Sequence, residues 1–167
     1  MELTAENLAV SKIAVSSDQL EEMTQTSWHL EIHDETCYRN PNTGWLTGTG
    51  TFLTLELVNA RPTDYSFLPD GTYTVDGEPT TDPETGLQQY RIPAVVAGKY
   101  TRPGFYGASS FVRYEEGTET EGTGIYGGTV TVSREGDVYT LVFDLKDDAE
   151  NTISGTYTGT ITEYVVQ

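Results

Sequence analysis

From Trp28 onward apolar and polar residues alternate with a period of two, the signature of strands half-buried against a core. In "TSWHLEIHDE" (residues 26–35), Trp28, Leu30 and Ile32 share one face, and His29, Glu31 and His33 share the other. Leu53, Leu55 and Leu57 repeat the pattern in "TFLTLELV", as do Tyr139, Leu141, Phe143 and Leu145 in "VYTLVFDL". Ile153, Tyr157, Ile161 and Val165 fall on one side of the last stretch. Turn clusters separate the runs: "RNPNTG", "LPDG", "TDPETG", "REGD" and "KDDAEN". Gly128 to Val166 reads as a three-strand meander. Roughly eight strands at this spacing predict an all-β antiparallel barrel of calycin or lipocalin type, with a two-sheet sandwich as the alternative. No alternation of strand and helix is present.

Residues 1–26 break the pattern and are expected to form a short N-terminal extension to a single β domain at 27–167. Within them "NLAVSKIAV" alternates in two bursts and fits a strand. "SDQLEEM", with capping-box spacing from Ser16 to Gln19, fits one or two helical turns. One short pattern recurs, Gly-Thr-x-Thr, beginning at Gly48, Gly71, Gly128, Gly155 and Gly159. It is read as strand-entry chemistry, because glycine permits the bend or bulge that starts a strand.

The chain has 167 residues, enough for one domain with a sizeable core. Its 26 Asp+Glu against 9 Lys+Arg give a net charge of −17, which repels nucleic acid and anionic membrane. Neither is expected as a partner. No run of about 18 apolar residues offers a membrane-spanning helix. Cys37 is the single cysteine, so an internal disulfide is excluded and cysteine usage does not set the compartment. The opening "MELTAENLAV" has neither the basic nor the apolar segment of an export signal.

The order of certain motifs resembles a family. "TGTGTFLTLELVNAR", then "LPDGTYTV", then "GGTVTVSREGDVYTLVFDLKDDAENTISGTYTG" resembles a β-rich domain that recurs in secreted lipoproteins of Bacteroidetes, over about residues 44–162. Two departures stand out. "WHLEIHD" replaces an aromatic first strand, and Glu150 stands in "DDAEN" where glycine is usual. The resemblance implies an extracytoplasmic domain (periplasm or cell surface) of unassigned function, with a lipid anchor lying outside this sequence. It supplies no catalytic residues.

Candidate chemistry is sparse. His29, Glu31 and His33 carry ligand-type side chains at alternate positions. Same-face neighbours on a strand are about 6.6–6.8 Å apart, so the two histidines stand about 13 Å apart and do not reach one ion together. A metal there needs one histidine, Glu31 and ligands from another strand. The preferred reading is a strand showing its polar face to water. Asp147 and Asp148, with Asp144, Glu150 and Asn151 nearby, offer calcium-type oxygens, yet Asp and Asn are also ordinary hairpin-turn residues. Cys37 lacks a recognisable base partner for nucleophilic work. Tyr100, Phe105, Tyr106, Tyr114 and Tyr126 form an aromatic group suited to a glycan or a small apolar ligand, and equally suited to core packing. The sequence therefore predicts a non-enzymatic binding or interaction module without a cofactor. Its expected partner is a small molecule, a glycan or a protein. The alternatives are a carbohydrate hydrolase using acidic residues and a structural, adhesin-type surface domain.

Overall fold

In the computed structural model, residues 2–4, 7–13, 24–34, 36–99 and 108–166 are described. The chain is all-β, with no helix among them. In order the strands are β1 (Glu2–Thr4), β2 (Asn7–Ile13), β3 (Gln25–His33), β4 (Cys37–Arg39), β5 (Leu46–Gly48) and β6 (Gly50–Ala60). Next come β7 (Gly71–Asp76), β8 (Thr80–Thr81), β9 (Gln88–Gln89), β10 (Ala94–Val96) and β11 (Ser110–Glu115). The series ends with β12 (Thr118–Glu135), β13 (Val138–Asp147), β14 (Thr152–Gly159) and β15 (Glu163–Val166). The helical turn expected at "SDQLEEM" lies outside the described residues.

Five strands close a barrel: β6 pairs with β11, β11 with β12, β12 with β7, β7 with β10, and β10 with β6. From β12 the sheet continues through β13 and β14 to β1, and from β6 through β3 and β2 to β15. Strands β1 and β2, in the segment read as an extension, are hydrogen-bonded into this same sheet.

The two-residue alternation places the core as expected. Trp28, Leu30, Ile32, Leu53, Leu55, Leu57, Leu141 and Leu145 are fully buried, and Tyr139, Phe143, Ile153 and Tyr157 nearly so. They meet in one cluster with Tyr73, Val95, Phe111, Ile125, Val130 and Val132, so side chains fill the interior. The meander also forms as expected, from β12, β13 and β14.

Three features depart from a purely antiparallel meander, the first being that β1 runs parallel to β14. The last apolar stretch does not continue as one strand. It breaks at residues 160–162, where the Tyr157 hydroxyl donates to the Thr160 carbonyl, and β15 then runs parallel to β2. Strands β7 and β10 are also parallel. Parallel neighbours need a long crossover, and residues 77–93, with the β8–β9 hairpin inside them, provide it.

The crossover is pinned to the end of β7 by Asp76, which is 3% exposed. Its carboxylate accepts from the Glu78 and Arg91 backbone N–H groups at 3.0 and 2.9 Å, and from the Arg91 guanidinium at 2.6 and 3.3 Å. The Arg91 side-chain hydrogen bonds, with help from the backbone donors and the cation's charge, hold its pKa well below the usual 3.8. A depressed carboxylate pKa adds stability above the unfolded-state value, and that stability is lost as pH falls through the folded-state value. The urea midpoint of the wild type should therefore decline from about pH 4 downward. Asp76→Asn should flatten that acid limb while lowering stability by about 2 kcal/mol near neutrality.

Glycine use is more varied than strand entry. Gly71 opens β7, but Gly128 lies inside β12, paired with Leu145 just past the bulge where pairing with β13 slips between Ile125 and Gly127, and Gly155 lies inside β14. At the β13–β14 turn the expected glycine is absent, and Glu150 takes φ +62°. The left-handed conformation costs a residue with a Cβ roughly 1–2 kcal/mol, against the backbone entropy that glycine loses. Glu150→Gly should raise unfolding free energy by about 0.5–1 kcal/mol, read as a higher urea midpoint at unchanged slope.

Candidate recognition hairpin

His29, Glu31 and His33 lie on the outer face of β3, part-exposed, while Trp28, Leu30 and Ile32 point into the barrel. The polar face is thus the wet one. His33 stacks on Phe52, its partner across β6, with centroids 5.1 Å apart at 12°, and its Nδ1 lies 2.8 Å from the Asp34 carbonyl oxygen. His29 Nε2 is 4.0 Å from Glu31 Oε1. Among the described residues no group of three His, Cys, Asp or Glu side chains converges as metal ligands would. Glu31 is engaged instead by Arg39 of β4, whose Nε donates to Oε2 at 3.3 Å while a terminal nitrogen donates to Oε1.

That ion pair fastens a short hairpin, β4–β5, over the outside of the barrel. Cys37 is buried beneath it against Phe52 and Val112, with Leu46 and Tyr114 packed on the same cluster. Asp34 sets the entry: its carboxylate accepts from the Thr51 N–H at 3.1 Å and the Thr36 hydroxyl at 3.2 Å. The approach needs Gly50, where a Cβ would fall 2.1 Å from Asp34 Oδ1. The tip is just as constrained. Asn40 Oδ1 accepts from Asn42 and Thr43 N–H, the Asn40 carbonyl accepts from Gly44 N–H, and Asn40 N–H donates to the Trp45 carbonyl. Arg39 also donates to the Gly44 carbonyl at 2.7 Å.

Successive residues on a strand face opposite ways. With Cys37 and Leu46 turned inward, Tyr38 and Trp45 point out. Trp45 is 75% exposed and Tyr38 46%. Beside them lies an open groove of about 420 Å³, lined by Glu31, His33, Tyr38, Arg39, Asn40 and Thr162 among others. Sequence reading passes over Tyr38 and Trp45 because they flank "RNPNTG", taken as a plain turn. The legible signal is an aromatic directly after the turn glycine, out of phase with the buried Leu46.

The other candidates disperse. Tyr100, Phe105 and Tyr106 lie outside the described residues. Tyr114 is partly buried in the cluster beneath the hairpin, and Tyr126 is 49% exposed beside the bulge of β12. Neither lines the groove. Asp147 is spent on its own turn, accepting from Ala149 N–H, Asn151 N–H and the Asn151 amide, while Asp148 is exposed at the tip. A second open groove, of about 370 Å³, contains Asp147 with Glu121, Thr123 and Asn151. A third, of about 660 Å³, runs between Arg134, Val138, Thr140 and Thr158. Burial, with Asp34 nearby, pushes the Cys37 thiol up to about 11, so it stays protonated and unreactive at neutral pH. Among the described residues the carboxylates with a displaced pKa, Asp64 and Asp76, are both held down, the opposite of a general acid.

Comparison of the chain with protein-family models, with curated proteins and with solved structures gave no match.

Proposed function

We propose that this chain is a non-enzymatic binding module of the extracytoplasmic lipoprotein kind, and that it recognises a glycan through the β4–β5 hairpin. The observation that carries the reading is Trp45, three-quarters exposed on a hairpin whose tip is tied by its own hydrogen bonds and by Arg39. Leaving an indole in water forgoes about 2–3 kcal/mol of burial. A rigid ring held there gives a partner stacking area at little entropic cost. The adjoining polar groups, Asn40, His33 and the Tyr38 hydroxyl, suit the hydroxyl edge of a sugar. The filled interior disfavours a lipocalin-like reading with a small apolar ligand inside. The placement of the domain outside the cytoplasm rests on the order of the "GTG", "LPDGTYT" and "GTVTVS" motifs.

The test is a glycan array probed with the wild type, Trp45→Ala and Tyr38→Ala. Wild-type binding that falls at least tenfold in Trp45→Ala, at unchanged melting temperature, is the expected result. Binding indifferent to both substitutions would move the site elsewhere. Absence of any glycan signal, together with Trp45-dependent capture of a protein partner, would favour the surface-adhesin reading instead.

A further inference from the structure

Resting on that reading of the hairpin, we infer that its ligand is a neutral polysaccharide bound along its length, and not an acidic glycan or a sugar chain end. Acidic sugars carry carboxylate or sulfate groups, and proteins meet those with guanidinium or ammonium donors, best in a two-pronged fork. The groove has Arg39, but three of its five N–H donors are already engaged, including the Nε and terminal pair that would form a fork. Nε and one terminal nitrogen go to the two oxygens of Glu31, and the other terminal nitrogen goes to the Gly44 carbonyl. The same pairing neutralises Glu31, so among the described residues the groove lining offers no unpaired carboxylate to a cationic amino sugar. Around it, a net charge of −17 opposes the approach of a polyanion at long range.

What the site still presents is aromatic and polar. The groove lining offers the Tyr38 ring and hydroxyl, the Asn40 amide and the His33 imidazole, and the exposed Trp45 follows the lining Gly44 in the chain. A neutral pyranose matches this set, because its C–H face stacks on an aromatic ring while its hydroxyls hydrogen-bond at the edge.

Shape sets the second half of the inference. A site for a chain end encloses it, whereas this groove is open, and Trp45, next in the chain to the lining Gly44, is three-quarters exposed outside it. One face of a sugar can lie on Trp45 while the polymer continues past the hairpin in both directions. Such contacts are weak singly and gain from repetition along a polymer.

Affinity gel electrophoresis with soluble polymers tests this. Neutral mannan, xyloglucan and mixed-linkage glucan are run beside polygalacturonate and alginate, at low and high salt. Retardation by at least one neutral polymer is expected, with the same strength at both salt levels. It should be abolished in Trp45→Ala and weakened in Tyr38→Ala, with melting temperatures confirming that both variants are folded. Retardation only by the anionic polymers, lost in Trp45→Ala, would overturn the neutral class while leaving the hairpin as a glycan site. Trp45-dependent binding of short oligosaccharides without polymer retardation would overturn side-on binding alone. Retardation unaffected by Trp45→Ala would overturn the hairpin reading and this inference together.

Discussion

Replacing Trp28 with alanine will cost the fold about 4 kcal/mol and lower the melting temperature by roughly 10 °C. Trp28 is fully buried on β3, in the main core cluster, with the Tyr65 and Tyr164 rings 6.2 and 6.4 Å away. Truncation removes the largest side chain of the core, and the surrounding strands, fixed by their ladders, cannot collapse into the void. Trp28→Phe refines the test. The indole N–H has no hydrogen-bond partner among the described residues, so its burial already carries an unsatisfied-donor penalty of about 1–3 kcal/mol. Phenylalanine removes that penalty while keeping most of the ring, and the net loss should be about 1 kcal/mol. Urea midpoints measured for both variants decide it. A phenylalanine variant as damaged as the alanine one would mean that the N–H is bonded and contributes. Trp45→Ala, at the other extreme of exposure, should leave the midpoint unchanged.

The second large effect is expected at Gly128. Its φ is +96°, and a Cβ built there would lie 2.0 Å from the Asp144 carbonyl oxygen and 2.8 Å from Leu145 Cα. Both are backbone atoms of the neighbouring strand β13 and cannot rotate aside. Gly128→Ala must either push β12 and β13 apart or force the backbone at 128 out of its positive φ, which would disturb the pairing from Gly127 to Glu135. The expected loss is about 3 kcal/mol, from the strained backbone and the steric clash combined. Gly136→Ala separates the two contributions. It also has a positive φ, +61°, but meets nothing within 4 Å, so it should lose only about 1 kcal/mol. Equal losses at the two positions would show that close approach of the strands contributes nothing.

The two substitutions mark where sequence reading succeeds and where it stops. That Trp28 is a core residue follows from its place in "SWHLEIH", since a side chain in phase with Leu30 and Ile32 shares their face. That Gly128 is irreplaceable does not follow from Gly-Thr-x-Thr. The same motif at Gly155 also lies within a paired strand, and what distinguishes Gly128 is its positive φ and the close approach of the β13 backbone. The candidate site shows the same division. The outward direction of His29, Glu31 and His33 is a matter of local phase. Arg39, eight residues beyond Glu31, reaches it only because β4 folds back over β3, and no periodicity encodes that return.

The sequence by itself determined an all-β chain, the faces of its long strands, its principal turns and its net negative charge. Each is a local or summed property, fixed by side-chain alternation every two residues, by turn chemistry or by counting charges. Only the tertiary structure decided the closed ring of β6, β11, β12, β7 and β10, the parallel partners of β2, β7 and β14, and the exposure of Trp45. These depend on pairings between segments far apart in the chain, chosen by which edges and apolar faces remain to be covered once the local strands exist.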